Sequence, residues 1–173
     1  NPIIVRSSSI LEDGFGNAFA GKYDSVFCAN IGTMEERLAE FEEAVRTVYA
    51  STMSRSALDY RLRRGLENRD EQMALLVQRV SGSRYDDFFM PCAAGVGYSY
   101  SPYRFLESID PHAGMLRLVM GLGTGAVDRM KGSYPRLVSL DKPTLTTVNT
   151  SVQKHQYSQR RIDLIDMLEG DMG

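Results

Sequence analysis

A short segment near the beginning of the chain constrains its fold and chemistry more than any other stretch. The apolar residues Ile3-Ile4-Val5 have the length and β-branching of the end of a buried strand. Arg6 follows directly, and three serines stand beside it at positions 7–9. A guanidinium offers a rigid fork of donors to phosphate or carboxylate, and serine hydroxyls add neutral donors. The segment therefore predicts either an anion site or an arginine in a structural ion pair beside a serine turn, and spacing alone favours the ion pair.

The longer sequence around Arg6 favours the anion site, because it resembles a known family signature. Residues 5–25 read V-R-S-S-S-I-L-E-D-G-F-G-N-A-F-A-G-K-Y-D-S. They resemble the signature V-R-S-S-A-x-x-E-D-x-x-x-x-S-F-A-G-Q-x-x-T of the nucleotide-binding domain of phosphoenolpyruvate synthase and pyruvate phosphate dikinase. The resemblance implies that Arg6 meets the phosphates of ATP, that Gly21 lets the backbone approach them, and that Ser25 donates a hydroxyl. Lys22 replaces the usual glutamine, as a further phosphate contact or as a solvated side chain.

Charge and composition exclude several classes of partner. The 173 residues suit one domain or two small lobes, and 20 basic and 22 acidic residues give a net charge of −2. These charges are spread along the chain and form no basic stripe typical of a nucleic-acid or membrane-surface binder. No run approaches the ~20 apolar residues of a membrane span, and no signal peptide is recognisable. Composition thus predicts a cytoplasmic protein that binds neither nucleic acid nor membrane.

The cysteines and histidines indicate no zinc site. Cys28 and Cys92 are far apart in the chain, each among small or apolar neighbours, and His112 and His155 lie far from both. This spacing favours two buried, unpaired thiols in a reducing compartment over a disulfide. No set of zinc ligands is present. Magnesium stays compatible with the sequence because it needs few protein ligands.

Residues 25–65 predict a strand followed by two helices. Ser25–Asn30 has the composition of a strand, and Thr33 with Glu36 three residues later predicts a capping box. The helix predicted over about 34–51 has an apolar, core-facing side. That side is formed by Leu38, Phe41, Val45 and Val48.

The second helix is predicted to begin at Ser54 and to end at Gly65. Its arginines are interpreted as a solvated helical face rather than a phosphate patch. The text Y-A-S-T-M-S-R-S-A-L-D-Y-R again resembles the family, in which a helix pair with A-S-x-x-x-x-R-A-x-x-Y-R follows the strand.

Met73–Val77 is a continuous apolar run, which predicts a strand buried on both faces. Gln78 follows it directly, and a polar amide in that position must find partners. The residue itself allows a satisfied core amide or a ligand-binding side chain. The segment resembles the family text M-A-V-V-V-Q-x-M, which implies that Gln78 lines the nucleotide pocket.

Residues 94–100 alternate in the manner of a half-buried strand. They occupy the place of the family text S-G-V-x-F-T-x-D-P. Ser101 stands where that text has its aspartate, so any role of an acidic residue there is lost.

A glycine-rich loop in the second half of the chain resembles a dinucleotide-binding fingerprint. The strand Met115–Met120 leads into Gly121–Ala126, which satisfies G-x-G-x-x-[GA], and Asp141 lies about twenty residues further on. The hypothesis that the protein is a nicotinamide-dependent oxidoreductase is supported by this loop alone. A parallel crossover needs a dozen or more residues, usually helical, and the breakers at Gly132 and Pro135 leave no room for it. The segment therefore predicts a tight loop between antiparallel strands.

The same loop resembles the family text G-L-G-E-x-x-V-x-G-x-x-x-P-D-x-Y, with Thr124 in place of the glutamate. Thr124 removes a carboxylate, so no catalytic role is assigned to the loop. Further on, the β-branched and hydroxyl residues 144–152 predict one more strand. Ile162, Ile165 and Leu168 predict a short amphipathic helix.

Together, the resemblance implies an α+β fold of the ATP-grasp type, a mostly antiparallel sheet with helices packed on it, incomplete at both ends. Residues 1–152 would form a partial nucleotide-binding domain, and 153–173 a linker with a short C-terminal helix. The chain is expected to be a fragment, because the family's later glutamate and Q-x-R motif are not found.

By the same resemblance, the expected function is the ATP-binding part of a phosphotransferase that phosphorylates a histidine domain of its parent enzyme. Arg6 would act in catalysis, and Arg6, Gly21, Ser25 and Gln78 would bind ATP. The Mg²⁺ ligands are expected outside this chain. The alternative is a non-catalytic module of the same family that binds a nucleotide or a partner.

Overall fold

A computed structural model describes most of the chain. The described residues are 1–13, 22–103, 106–127, 134–146 and 150–170. The chain divides into two compact units. Unit 1 contains Asn1–Ser81 and Ile165–Gly173, and unit 2 contains Gly82–Leu164.

The sheet of unit 1 has three antiparallel strands in the order β2-β1-β3. These strands are β1 (Ile3–Ser9), β2 (Ser25–Cys28) and β3 (Met73–Arg79). The helix α2 (Met34–Ser51) packs on one face, where Val5 and Cys28 of the sheet meet Ala44 and Val48. Val5 and Val48 are fully buried, and burial of one such side chain stabilises the fold by ~1.5–3 kcal/mol.

The capping box predicted for α2 is confirmed. The Glu36 amide donates to Thr33 Oγ1 over 3.2 Å, and the Thr33 amide donates to Glu36 Oε2 over 2.8 Å. The hydrogen bond from the Thr33 backbone to the Glu36 carboxylate, followed by that of the Thr33 side chain, holds the pKa of Glu36 below its usual value. The apolar side differs from the prediction in one residue, because Leu38 is 55% exposed whereas Phe41, Val45 and Val48 pack on the sheet.

Two shorter helices complete the described helices of unit 1. The four-residue helix α1 (Ile10–Asp13) follows β1, and α3 (Arg55–Arg63) begins after the N-cap Ser54, as predicted. Gly65 has a φ of +65°, a left-handed conformation that ends α3. Beside α3, a second core cluster forms. It contains Leu11, Tyr23, Ala57 and Leu66.

The prediction that β3 is buried on both faces is wrong. Leu76 and Val77 are 44% and 45% exposed. The strand lies at an edge of a three-stranded sheet, and α2 packs on one face only. A continuous apolar run is typical of a doubly covered strand, but it does not itself supply the second layer.

Unit 2 contains a hairpin and a second three-stranded antiparallel sheet, ordered β6-β7-β8. The hairpin strands are β4 (Ser83–Tyr85) and β5 (Phe88–Met90). The sheet strands are β6 (Ala94–Tyr98), β7 (Met115–Val119) and β8 (Arg136–Ser139). Its helical elements are a 3₁₀ turn at Pro111–Ala113, α4 (Thr124–Val127) and α5 (Ser151–Gln156).

Both predictions for the C-terminal part are wrong in the described residues. Positions 144–146 are not in a strand, and α5 occupies 151–156 because Thr150 and Gln153 form a capping box. The helix predicted through Ile162, Ile165 and Leu168 is replaced by a short strand, β9 (Ile165–Asp166). The Asp166 carboxylate then accepts the amides of the second and third residues after it, which turns the chain.

The predicted mixed α+β class with antiparallel sheets is confirmed. In the described part of the chain, no helix is both long and apolar enough to cross a membrane. The assignment of residues 1–152 to one nucleotide-binding domain stays a prediction.

Candidate nucleotide-binding face

Arg6 lies in the middle of the central strand of unit 1. It stands opposite Ser25 of β2 on one side and Leu76 of β3 on the other. Arg6 is exposed, and it takes part in none of the ion pairs found among the described residues. Positions 7–9 continue the strand instead of turning. The structure thus gives no support to a structural ion pair beside a serine turn.

The pleat of the sheet brings three predicted site residues to one face. Side chains alternate along a strand, and directly opposed residues share a face. Val5 packs against α2, so Arg6 and its partner Ser25 lie on the other face. Gln78 stands opposite Ile4, two residues before Arg6, and therefore shares that face. We call the face that carries Arg6, Ser25 and Gln78 the open face of unit 1.

Spacing on the open face suits a single extended ligand. Opposed residues of antiparallel strands have Cβ atoms about 4.5–5.5 Å apart, and diagonal neighbours are about 7–8 Å apart. Ser25 is directly opposite Arg6, and Gln78 is diagonal to it. All three residues are exposed. Because Gln78 is exposed, the alternative of an enclosed core amide is excluded, and its place in a nucleotide pocket stays a prediction.

The segment between β1 and β2 holds the remaining predicted residue. Gly21 lies outside the described residues, as do positions 14–20. Lys22, the next residue, places its ammonium 5.7 Å from the centroid of the Tyr60 ring, within the range of a cation–π contact. The sequence predicts that Lys22 contacts phosphate or is solvated. The contact with Tyr60 of α3 is a third role, in which the ammonium lies against an aromatic ring.

The glycine loop of unit 2 lies between antiparallel strands, as predicted. β7 and β8 pair antiparallel from Met115–Ser139 to Leu118–Arg136, and the short α4 stands between them in the chain. Asp141, the candidate ribose ligand of a dinucleotide site, accepts the Ser139 hydroxyl over 2.6 Å and the Asp110 amide over 3.0 Å. The hydrogen bond from the Ser139 hydroxyl, followed by that from the Asp110 amide, lowers the pKa of Asp141, and each carboxylate oxygen accepts one of the two. The dinucleotide interpretation is excluded.

Comparison with known protein families agrees with the signature around Arg6. The model of the family described as pyruvate phosphate dikinase, AMP/ATP-binding domain, matches residues 1–167. The chain belongs to this family. Its members are AMP- or ATP-binding domains of kinase-type phosphotransferases, so the predicted class of ligand is confirmed.

Asp163 is a residue of this dikinase-family domain that sequence reasoning missed. The Thr124 hydroxyl donates to Asp163 Oδ2 over 2.5 Å, and the Leu122 amide donates to Asp163 O over 2.8 Å. Gly121 has a φ of +89°, and a Cβ on it would lie 2.5 Å from the same carbonyl oxygen. A carboxylate therefore stands beside Thr124, although the loop itself lacks one. No sequence signal indicates this partner, because 39 positions separate the two residues.

Ser101, the second departure from the family text, is 3% exposed. Its amide donates to Pro111 O over 2.8 Å, and its hydroxyl donates to Tyr103 O over 3.2 Å. The side chain that replaces an aspartate thus bonds to the backbone of its own loop.

The donors of the open face do not fit a magnesium site. Ser25 and Gln78 supply neutral oxygens, and Arg6 supplies a cation. Mg²⁺ in proteins is held through carboxylates and phosphates. Among the described residues, no group of three or more His, Cys, Asp or Glu side chains could hold a metal ion.

The two cysteines of this dikinase-family domain are unpaired, as predicted, but only Cys28 is buried. Burial, with a smaller contribution from the charge of Glu40, raises the pKa of the Cys28 thiol to about 11. Cys92 is exposed, so the expectation of two buried thiols is wrong for this residue.

Proposed function

We propose that the chain is the ATP-binding part of a phosphotransferase resembling phosphoenolpyruvate synthase and pyruvate phosphate dikinase. In this proposal the fold is of the ATP-grasp type, and the β-phosphate of ATP passes to a histidine on another domain of the parent protein. The single observation that carries it is the open face of unit 1. Arg6, Ser25 and Gln78 share that face while α2 covers the opposite one.

Each residue of the site has a role that its chemistry supports. Arg6 binds the phosphate chain through a planar fork, and its positive charge stabilises the negative charge that develops during transfer. Ser25 donates a hydroxyl to the same chain. Gln78 can both donate and accept, which suits the edge of a base or ribose. Gly21 allows close backbone approach to the phosphates.

The proposed domain covers residues 1–152. Residues 153–173 follow it as a linker to the rest of the parent protein, part of which is bonded to the domain through Gln159 and Asp163. Mg²⁺ arrives with the phosphates of ATP, and its protein ligands lie outside this chain. The neutral and cationic donors of the open face are consistent with this assignment. The phosphorylated histidine likewise belongs to a separate domain of the parent.

A second candidate function is supported by Thr124. Its hydroxyl is bound to Asp163, so it offers neither a carboxylate nor an unshared proton at the place where the family text has glutamate. A non-catalytic module that binds ATP or AMP without phosphoryl transfer is consistent with this substitution.

Isothermal titration of the parent protein with ATP and magnesium tests the proposed role of Arg6. Arg6→Lys keeps the charge but loses the bidentate fork, and a charge-assisted hydrogen bond is worth about 1.5–3 kcal/mol. We therefore expect affinity to fall about ten- to a hundredfold in Arg6→Lys and at least as far in Arg6→Ala. The melting temperature should stay unchanged, because Arg6 is exposed.

Arg79→Lys is the matched control for this titration. Arg79 is also exposed, but its place opposite Ile3 puts it on the face of the sheet away from Arg6. Equal affinity in all four proteins would assign Arg6 a structural role. ATP labelled at its β-phosphate separates the two candidate functions, since label on a histidine supports the phosphotransferase and binding without transfer supports the module.

A further inference from the structure

A cavity of 590 Å³ lies in unit 2, at the end of its sheet where β7 stops. Its volume is within the range of about 300–1,000 Å³ typical of small-molecule sites. The last residues of β7 and the first of β8 form one side, and the end of α5 forms the other. We call it the α5 cavity. None of the residues assigned to the nucleotide site lines it.

The side chain of Gln159 fastens the α5 side of this cavity to the sheet. Its Oε1 accepts the Met120 amide over 2.8 Å, and its Nε2 donates to Met120 O over 2.7 Å. The same Nε2 donates to Arg161 O over 2.8 Å. One amide thus replaces the pair of backbone hydrogen bonds that a neighbouring strand would make. These hydrogen bonds join the two walls of the cavity, so the distance between the walls is fixed by the structure of unit 2.

The charged side chains in the described lining of the α5 cavity have one sign. Arg136 and Lys154 line it, and no aspartate or glutamate is among the lining residues that the structure describes. Neither cation takes part in an ion pair among the described residues. An anion entering the cavity therefore meets two positive charges that no carboxylate of the described lining offsets. A cationic ligand would be repelled by both of these side chains.

Aromatic and aliphatic side chains form the rest of the lining. Tyr134 and Tyr157 lie edge to face, with ring centroids 5.4 Å apart and an interplanar angle of 73°. Leu118 and Leu137 add apolar surface from β7 and β8. Such a lining favours a planar or aromatic body over a small hydrated ion.

From these observations we propose that the α5 cavity is a second ligand site, which binds a small aromatic anion. The negative group pairs with Lys154 and Arg136, and the ring lies against Tyr134 and Tyr157. None of its lining residues belongs to the open face of unit 1, and the proposal does not depend on the function proposed for that face.

Calorimetric titration with 1-naphthoate tests this proposal directly. Naphthoate carries one carboxylate on a planar ring, 1-naphthylmethylamine carries the opposite charge on the same ring, and acetate lacks the ring. We expect saturable binding of naphthoate alone among the three probes. Absence of naphthoate binding, or equal binding of the amine, would overturn the proposal.

Variants then locate the site. Lys154→Gln should weaken naphthoate binding about fivefold, and Lys154→Arg should restore it, because the interaction requires the charge. Tyr157→Leu should cost a similar factor through loss of the ring contact. Arg161→Gln is the matched control, since Arg161 is an exposed cation of the same segment that does not line the cavity. A loss in Arg161→Gln as large as that in Lys154→Gln would indicate nonspecific attraction and contradict the proposal.

Cys92 provides an independent readout of occupancy because it lines the cavity and is exposed. Naphthoate should slow its alkylation by the neutral reagent iodoacetamide, and the amine should not. Arg6→Ala should leave both naphthoate affinity and this protection unchanged. Loss of binding in Arg6→Ala would place the probe on the open face of unit 1 instead, and that outcome would refute a second site.

Discussion

Among the described residues, the sheet β2-β1-β3 of unit 1 and the sheet β6-β7-β8 of unit 2 are held in place by different means. In unit 1, the 18-residue helix α2 covers one face of the sheet, and apolar side chains such as Val5 and Val48 are fully buried between them. In unit 2, the central strand β7 ends in a glycine turn whose backbone is bonded by the side chain of Gln159 and by Asp163.

The difference shows how each sheet can carry a ligand. A sheet stabilised by burial on one face can leave polar residues exposed on the other, and the open face with Arg6 is such a surface. Hydrogen bonds from side chain to backbone require fixed geometry, so they hold a turn and a cavity in shape but tolerate little change in either. Thiol labelling and a series of substitutions test this contrast, from the largest expected effect to the smallest.

Thiol reactivity should separate the two units most strongly. Cys28 is 1% exposed in the core of unit 1 with a pKa of about 11, whereas Cys92 is exposed in unit 2. At pH 8, about one Cys28 thiol in a thousand is ionised, so alkylation of Cys28 should be at least about a hundredfold slower than that of Cys92. Mass spectrometry of timed iodoacetamide reactions measures both rates. Similar rates would mean that the core of unit 1 opens readily.

The raised pKa of Cys28 also fixes the sign of a pH effect. Ionisation is harder in the folded state, so its contribution to stability is fully present below the ordinary thiol pKa of about 8.5. That contribution is lost as pH rises towards 11. In Cys28→Ser, this alkaline loss of stability should be absent.

Gly121→Ala should destabilise the chain most among single substitutions. A methyl group there meets the carbonyl oxygen of Asp163, and the φ of +89° is itself unfavourable for alanine. We expect the free energy of unfolding to fall by about 3 kcal/mol in urea titrations. Gly123→Ala is the control, because its methyl group would lie at an ordinary 3.6 Å from Ala94 Cβ. Equal effects at both glycines would contradict a geometric requirement at position 121.

Val48→Ala should reduce the free energy of unfolding by about 2 kcal/mol, because it removes two methyl groups from a fully buried contact and leaves a cavity. The same change at Val152, which is 74% exposed on α5, should stay within about 0.5 kcal/mol of zero. Urea titration of both variants makes the comparison. If Val152→Ala lowers the free energy of unfolding as much as Val48→Ala does, burial does not account for the difference expected between α2 and α5.

Loss of the α2 cap should have the smallest effect. Thr33→Ala removes the acceptor for the Glu36 amide, and such a cap is worth about 1 kcal/mol. The Glu36 pKa is lowered in the folded state, so its contribution is present above the ordinary pKa of about 4.3 and is lost as pH falls through the folded value. Thermal melts of Thr33→Ala and Glu36→Gln at neutral and acidic pH test both statements. If Glu36→Gln lowers the melting temperature equally at neutral and acidic pH, the charge of Glu36 does not contribute to stability.

Much of the local structure could be predicted from the sequence because its causes are local. The bounds of α2 follow from a cap three residues away from its partner and from apolar residues that repeat every three or four positions. The antiparallel arrangement around the glycine loop follows from the length of the connection, which is too short for a crossover. The signature around Arg6 identified the nucleotide-binding family through fixed spacing in a continuous segment.

Features that depend on distant segments were decided only by the tertiary structure. The apolar composition of β3 states that it can be buried, but exposure of Leu76 and Val77 depends on how many layers cover the sheet. Pairing of Thr124 with Asp163 and of Met120 with Gln159 joins residues 39 positions apart, and no periodicity encodes such contacts. The sequence therefore predicts short-range hydrogen bonds and which side of a strand or helix is apolar. What packs against that side is decided only when remote segments come together.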